Sequence, residues 1–309
     1  MRLLLVGDVH LADRAPSIRK DGYAEQILDK LRFVVNEASR LEVDAIVQAG
    51  DMFHVKSPSR TSHALVLSTA KVLGDMAADF HIPVLVVPGN HDMQHDRLES
   101  LAAQPLGTLT MHPNVEMLIG PHPSLPLTGI PWLQDWGDLG VWFKPTKALL
   151  TVTHAPIFPT GEHPPYDYIS ADAWASVVKT PATMFGHIHE TNGVFHAEGH
   201  TFVNQGALSR GSLHEATLKR KPAVTLYDDQ AGFTRIEVPY LPASEVFSLK
   251  EHVAEEEIKM DVEAFISSVG STSLSGLSVE EVAAHAREAD LPPDALKVVL
   301  ESLEEAQHA

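Results

Sequence analysis

Seven side chains able to bind a metal ion fall in short clusters along the chain: Asp8 with His10, Asp51, Asn90, His154, and His187 with His189. Carboxylates supply negative charge, neutral imidazoles supply nitrogen, and an amide carbonyl supplies a neutral oxygen. Together they suit hard and borderline divalent ions. His91 and Asp92 complete the run "GNHD" with Gly89 and Asn90. Such residues are poor strand formers and costly to bury unpaired, so the turn that carries them must use them. Taken singly, each has a plainer explanation. Asp8 or His10 could be a turn residue or a helix cap, Asp51 follows Gly50 in a common turn pair, and Asn90 after Gly89 fits an Asx turn. His154 could be a surface residue at a strand end. "GHIH" resists that treatment, because in an extended segment His187 and His189 point to the same side, as two ligands would. Five clusters in the same context argue for one shared role.

The context is a series of buried strands. "RLLLVG", "DAIVQAG", "PVLVVPG", "ALLTVTH" and "ATMFGH" are short, aliphatic, and end on glycine or a polar turn. Between the first two, Ile27, Leu28, Leu31, Val34, Val35, Ala38 and Leu41 repeat at helical spacing, and residues 61–80 read as a second helix. Strand, helix, strand implies parallel strands covered by helices. In such sheets the carboxyl ends of strands converge on one crevice, and every cluster above follows a strand. Past Gly193 the pattern changes to "GVFHAEG", "HTFVNQG", "AVTLYDD" and "FTRIEVPY", which predicts antiparallel pairing.

Composition narrows the chemistry. With no cysteine and eighteen histidines among 309 residues, disulfides, thiolate metal sites and thiol nucleophiles are excluded, leaving imidazole, carboxylate and amide donors. The opening "MRLLLVGDVH" has an apolar run too short for a signal peptide, and no run approaches the roughly eighteen residues of a membrane span. The expectation is a soluble, cytoplasmic protein. A net charge of −18 argues against coating nucleic acid by general electrostatics. The charge is uneven, however: from Glu245 onward 15 acidic residues face 4 basic ones. Basic groups survive earlier at Arg14, Arg19 and Lys20, and at Lys219, Arg220 and Lys221. Solvated loops would explain them equally well.

The expected domains are a main domain over residues 1–244, a helical connection over 245–266, a Ser/Gly-rich linker over 267–278, and a two-helix unit over 279–309. Ser278 and Glu281 form a capping box for the first of those helices, and Pro292 with Pro293 ends it. Leu296, Val299, Leu300 and Leu303 share a face of the second. A unit this small must dock on the main body, on a second copy, or on another protein.

"GDVH", "GD", "GNHD", "THAP" and "GHIH", in that order, resemble the five blocks of the calcineurin-like metallophosphoesterases. The resemblance implies an α/β two-sheet sandwich flanked by helices, here with a C-terminal helical extension, around two divalent ions. Manganese is the first expectation, with magnesium, iron or zinc as alternatives. By position, Asp8, His10, Asp51 and His189 would hold one ion, and Asp51, Asn90, His154 and His187 the other, Asp51 bridging. Such a pair clamps a phosphate and lowers the pKa of a water. His91 would stabilise the phosphoryl oxygens or protonate the leaving alkoxide, with Asp92 orienting it.

A narrower resemblance, to SbcD-type double-strand-break repair nucleases of bacteria and phages, rests on "DVHLAD", "VDAIVQAGDMFHVKSPS", "VLVVPGNHDM" and "NQGALSRGS". It implies a metal-dependent DNA exonuclease and endonuclease acting in repair or recombination. Arg14, Lys56 and Arg210 are then candidates for contacting substrate. It further implies a coiled-coil ATPase of the SbcC type bound through the C-terminal helices, and a homodimer. The rival reading is a small-molecule phosphodiesterase or phosphomonoesterase using the same metals.

Overall fold

The computed structural model describes residues 1–14, 19–20, 22–54, 61–133, 136, 147–211, 215–248, 262, 282, 284, 286–287 and 291–307. They divide into two units, Met1–Val246 and Phe247–Ala309.

The described strands of the first unit are β1 (Arg2–Val6), β2 (Ala45–Gln48), β3 (Val84–Val86), β4 (Val115–Met117), β5 (Gly120–Pro121), β6 (Leu127–Ile130), β7 (Leu150–His154), β8 (Ile157–Phe158), β9 (Ile169–Ser170), β10 (Ala182–Gly186), β11 (Gly193–Ala197), β12 (His200–Asn204), β13 (Ala223–Asp228) and β14 (Gly232–Glu237). Two six-stranded sheets result, in the orders β14-β13-β1-β2-β3-β4 and β11-β12-β10-β7-β6-β5, while β8 and β9 pair apart.

Side-chain alternation explains how the sheets stack. Leu3 and Leu5 of β1 face inward and share a buried cluster with Leu150 and Val152 of β7, Met184 of β10 and Val203 of β12. Leu4 and Val6 point the other way, onto Ile27, Leu31, Val34 and Val35 of the helix Tyr23–Arg40. The outer face of the second sheet carries Phe185 and Phe202 against Trp174 of the helix Ala171–Val177, whose indole N–H donates to Thr183 at 2.9 Å. The order of layers is helix, sheet, sheet, helix.

The expected parallel strands are present but shared between the two sheets: β1, β2, β3 and β4 run parallel in one, and β6, β7, β10 and β12 in the other. The β11–β12 and β13–β14 pairs are antiparallel as their sequences predict. Two pairings were not predicted. β12 lies parallel to β10, and β13 returns antiparallel to β1 across more than two hundred residues. The helix expected over residues 61–80 spans His63–Asp79, with a π-helical stretch at Ala70–Met76 where Gly74 lies against the His112 ring.

In the second unit the helix Pro293–Gln307 packs Leu296 and Val299 with Val262, Val282, Ala286 and Leu291 of the same unit. The Ser/Gly-rich segment 267–278 lies outside the described residues, as does most of the first predicted helix. No described helix is long and apolar enough to cross a membrane.

Candidate metal centre

Five of the parallel strands deliver polar residues at or just past their carboxyl ends. Asp8 and His10 follow β1, Asp51 follows β2, Asn90 follows β3, His154 closes β7, and His187 with His189 follows β10. Stacking the sheets brings these ends together, although Asp8 and His189 are 181 positions apart in the chain.

All seven predicted ligand residues meet. His189 Nε2 lies 3.3 Å from Asp8 Oδ2 and 2.8 Å from His10 Nε2. His10 Nε2 is 3.7 Å from both Asp8 Oδ2 and Asp51 Oδ2. The same Asp51 oxygen is 3.3 Å from His154 Nε2. Asn90 Oδ1 completes the far side, 3.0 Å from His154 Nε2 and 3.3 Å from His187 Nδ1. Two triads emerge, Asp8–His10–His189 and Asp8–Asp51–His154, whose ligand atoms lie within 4.8 Å of one another. Asp8 is common to both triads, and Asp51 Oδ2 sits between the His10 and His154 nitrogens.

The backbone here is strained. His10, Asp51 and His187 have φ of 51°, 55° and 77°, a left-handed region that residues with side chains seldom occupy. It is held by cross-links between loops. The Asp51 carbonyl accepts from the Val9 and His10 amides, and Asp8 accepts from the His187 amide at 3.0 Å. Positive φ at His187 also explains why the extended-segment expectation for "GHIH" fails: His187 turns to Asn90 and His189 to Asp8, serving different ends of the cluster. Gly50 is required by close approach, since a Cβ there would lie 2.3 Å from His154 Nδ1.

Electrostatics match the geometry. Burial pushes Asp8 up, but hydrogen bonds with His10 and His189 outweigh it and hold the carboxyl well below the usual range. Burial opposes ionisation of Asp51 too, and His154 overcomes it. Burial pulls the His154 imidazole down, yet the Asp51 and Asp8 carboxylates raise it to about 9. His187, desolvated beside His154, falls to about 4. Two ionised, buried carboxylates ringed by four imidazoles and an amide form a donor set that fits divalent ions.

Asp92 does not orient His91 as expected. Its carboxylate accepts from the amides of Gly89 and Asp51 at 2.9 Å and of Met52 at 3.2 Å, tying the β2 and β3 loops together. The His91 amide donates to Asp51 Oδ1 at 2.8 Å, and its ring Nδ1 stands 3.0 Å from the His54 carbonyl. A carbonyl can only accept, so Nδ1 carries the proton and Nε2 is left to exchange one. Burial lowers the His91 pKa.

Sequence reasoning passed over His54 and Trp132. His54 stacks on His91 with ring centroids 5.9 Å apart and meets the His10 edge at 5.4 Å; its only signal was its place three residues after Asp51. Trp132 lies 4.7 Å from His187, with nothing in the sequence to mark it. A cavity of about 140 Å³ opens beside the cluster, lined by His10, Tyr23, His54, His189, Ser209 and Arg220 among others. Of the proposed substrate contacts, Arg14 is exposed, and Lys56 lies outside the described residues. Arg210 faces inward: it is 2% exposed, lies 4.8 Å over the Tyr240 ring and donates to the Leu241 carbonyl. Its neighbour Ser209 lines the cavity instead.

Residues 1–191 match the calcineurin-like phosphoesterase family. The chain belongs to that family. Phosphoesterases of this superfamily depend on two metals, in keeping with the candidate ligands found here. The phosphoesterase is 36% identical over 92 residues to the DNA double-strand break repair protein Mre11 of Saccharolobus solfataricus, a match covering 30% of this chain and 23% of that protein. It is 33% identical over 120 residues to the SbcD subunit of the nuclease SbcCD of Bacillus subtilis, covering 39% and 27%. The matched stretch therefore spans roughly a quarter of each relative. Among solved structures, TT1561 of Thermus thermophilus aligns with 14% identity and a TM-score of 0.47, covering 77% of this chain and 99% of that one. A dimetal phosphatase from Danio rerio aligns with 14% identity and the same score, covering 78% and 99%.

Proposed function

We propose that this phosphoesterase is a metal-dependent DNA nuclease that hydrolyses phosphodiester bonds, in DNA repair or recombination. The observation that carries the reading is the convergence of Asp8, His10, Asp51, Asn90, His154, His187 and His189, with His91 beside them and Asp51 central. The nuclease assignment draws on the likeness to Mre11 and to the SbcD subunit of SbcCD, over 30% and 39% of this chain.

Asp8, His10, Asp51 and His189 would hold one divalent ion, and Asp51, Asn90, His154 and His187 a second, manganese being the first candidate. When bound, the ions would neutralise phosphate charge and make a water easier to deprotonate. The chain's own residues do the rest. His91, with Nδ1 anchored on the His54 carbonyl, presents Nε2 as the nitrogen that exchanges a proton with the departing oxygen. Asp92 and the strained loops keep the donors fixed before substrate arrives.

The size of the adjoining cavity, about 140 Å³, favours a second reading, a small-molecule phosphodiesterase or phosphomonoesterase. Purified protein with manganese is to be assayed on linear, hairpin and single-stranded DNA and on a nitrophenyl phosphodiester. The nuclease reading expects DNA cleavage that chelator abolishes; cleavage of the small ester alone would select the rival. His91→Ala should slow DNA cleavage by about 10² to 10⁴, the usual share of a proton-transfer group. An unchanged rate would remove His91 from the chemistry.

We further propose a cytoplasmic protein, paired with itself, whose C-terminal helices bind an SbcC-type ATPase. Co-purification with that ATPase should fail when residues 267–309 are deleted.

A further inference from the structure

Arg220 lines two cavities at once. On one side it faces His10 and His189 in the cavity beside the candidate metal centre. On the other it opens into a groove of about 430 Å³ formed with Glu190, Thr191, Lys219, Lys221 and Arg235. Chain continuity joins the two, because His189 lines the first and the next two residues line the second. The Arg220 guanidinium is fixed at the junction by the Ser209 carbonyl at 3.0 Å and the Thr217 hydroxyl at 3.2 Å.

The groove has the opposite sign to the molecule. Four cationic side chains are gathered there in a chain of net charge −18. Among the described residues, the carboxylates facing them include Glu190 in the wall, Asp8 on the metal-centre side of Arg220, and Glu237, which meets Arg235 at 2.9 Å and Lys221 at 3.9 Å. Lys219, Lys221 and Arg235 are exposed, and ion pairs so placed are worth little and exchange readily for a phosphate. A small phosphoester would fill the inner cavity and leave this basic channel unused.

We infer that the groove holds the sugar–phosphate strand leading away from the scissile phosphate, so that the substrate is an oligonucleotide gripped over several phosphates. The inner end of this assignment rests on the nuclease reading above; binding along the groove is measured without cleavage. Arg220 meets the phosphate nearest the metal centre, and Lys219, Lys221 and Arg235 meet those beyond it.

The test is anisotropy of a dye-labelled single-stranded oligonucleotide with the full chain across a salt series. Lys219→Gln/Lys221→Gln is compared with wild type and with Lys71→Gln/Lys147→Gln, which removes equal charge at exposed positions outside the groove. Two lost contacts should flatten the slope of log affinity against log salt by about 1.4 and weaken low-salt binding about ten-fold, while the control keeps the wild-type slope. Arg235→Gln provides an independent variant, with a shift of about 0.7. Wild-type slopes in the groove variants, no binding by wild type, or equal competition by polyglutamate would overturn the assignment. Groove-dependent binding by a protein that cuts neither DNA nor a nitrophenyl diester would uphold the groove and end the nuclease reading.

Discussion

Asp92 was expected to orient His91, and its hydrogen-bond partners lie elsewhere. A carboxylate beside a histidine suggests an orienting partner, yet its donors here are three backbone amides from two loops. Burial and the neighbouring Asp51 push it up to about 7, so its place is maintained by hydrogen bonds rather than by charge. Asp92→Ala should cost roughly 3 kcal/mol or more in urea unfolding, since buried amides lose their acceptor; Asp92→Asn should cost less. Asp51 offers the complementary case. Asparagine tolerates left-handed backbone, so Asp51→Asn should keep the native circular dichroism. Titration calorimetry should nonetheless show manganese binding weakened by no less than about ten-fold, a loss seen even for groups that merely support a ligand.

At the scale of elements, the strands and the helix Tyr23–Arg40 were legible because hydrophobic period survives any packing arrangement. The candidate ligand clusters stood out for the same reason: each sits where such a run stops. What periodicity cannot supply is φ at a loop residue, which misled the expectation for His187, or the ring that a distant loop lays against another, which hid His54 and Trp132. Gly50 marks the tightest of these junctions. Gly50→Ala should lower stability by about 1–3 kcal/mol through overpacking and add strain at φ 96°, and it should weaken ion binding by displacing His154. Matched melting curves with and without manganese would reveal both effects; an alanine variant indistinguishable from wild type would show that the contact relaxes freely.

For the whole molecule, the division of parallel strands between two sheets escaped the residue pattern, because every buried strand reads alike whichever sheet it joins. Ion binding should be a whole-molecule event as well. A ligand that binds only the folded first unit raises its melting temperature by mass action, so chelator should lower that transition and excess manganese should raise it. Protons move with the ion. His154, raised to about 9 beside Asp51, is protonated at pH 8, and an ion must displace that proton. Uptake should therefore tighten from pH 6 to pH 9 and release protons, seen as calorimetric heats that differ between buffers of unlike ionisation enthalpy. Equal heats would mean that His154 is already neutral.

The antiparallel return of β13 onto β1 bears on how the protein is made. Residues 2–6 lack one hydrogen-bonded neighbour until residues 223–228 have left the ribosome, and long-range pairings of this kind are slow to close. A nascent chain thus carries every candidate ligand residue well before it can hold them in register. Chains arrested short of residue 223 should be inert and easily digested by protease, so that phosphoesterase activity is withheld until synthesis of the sandwich is finished.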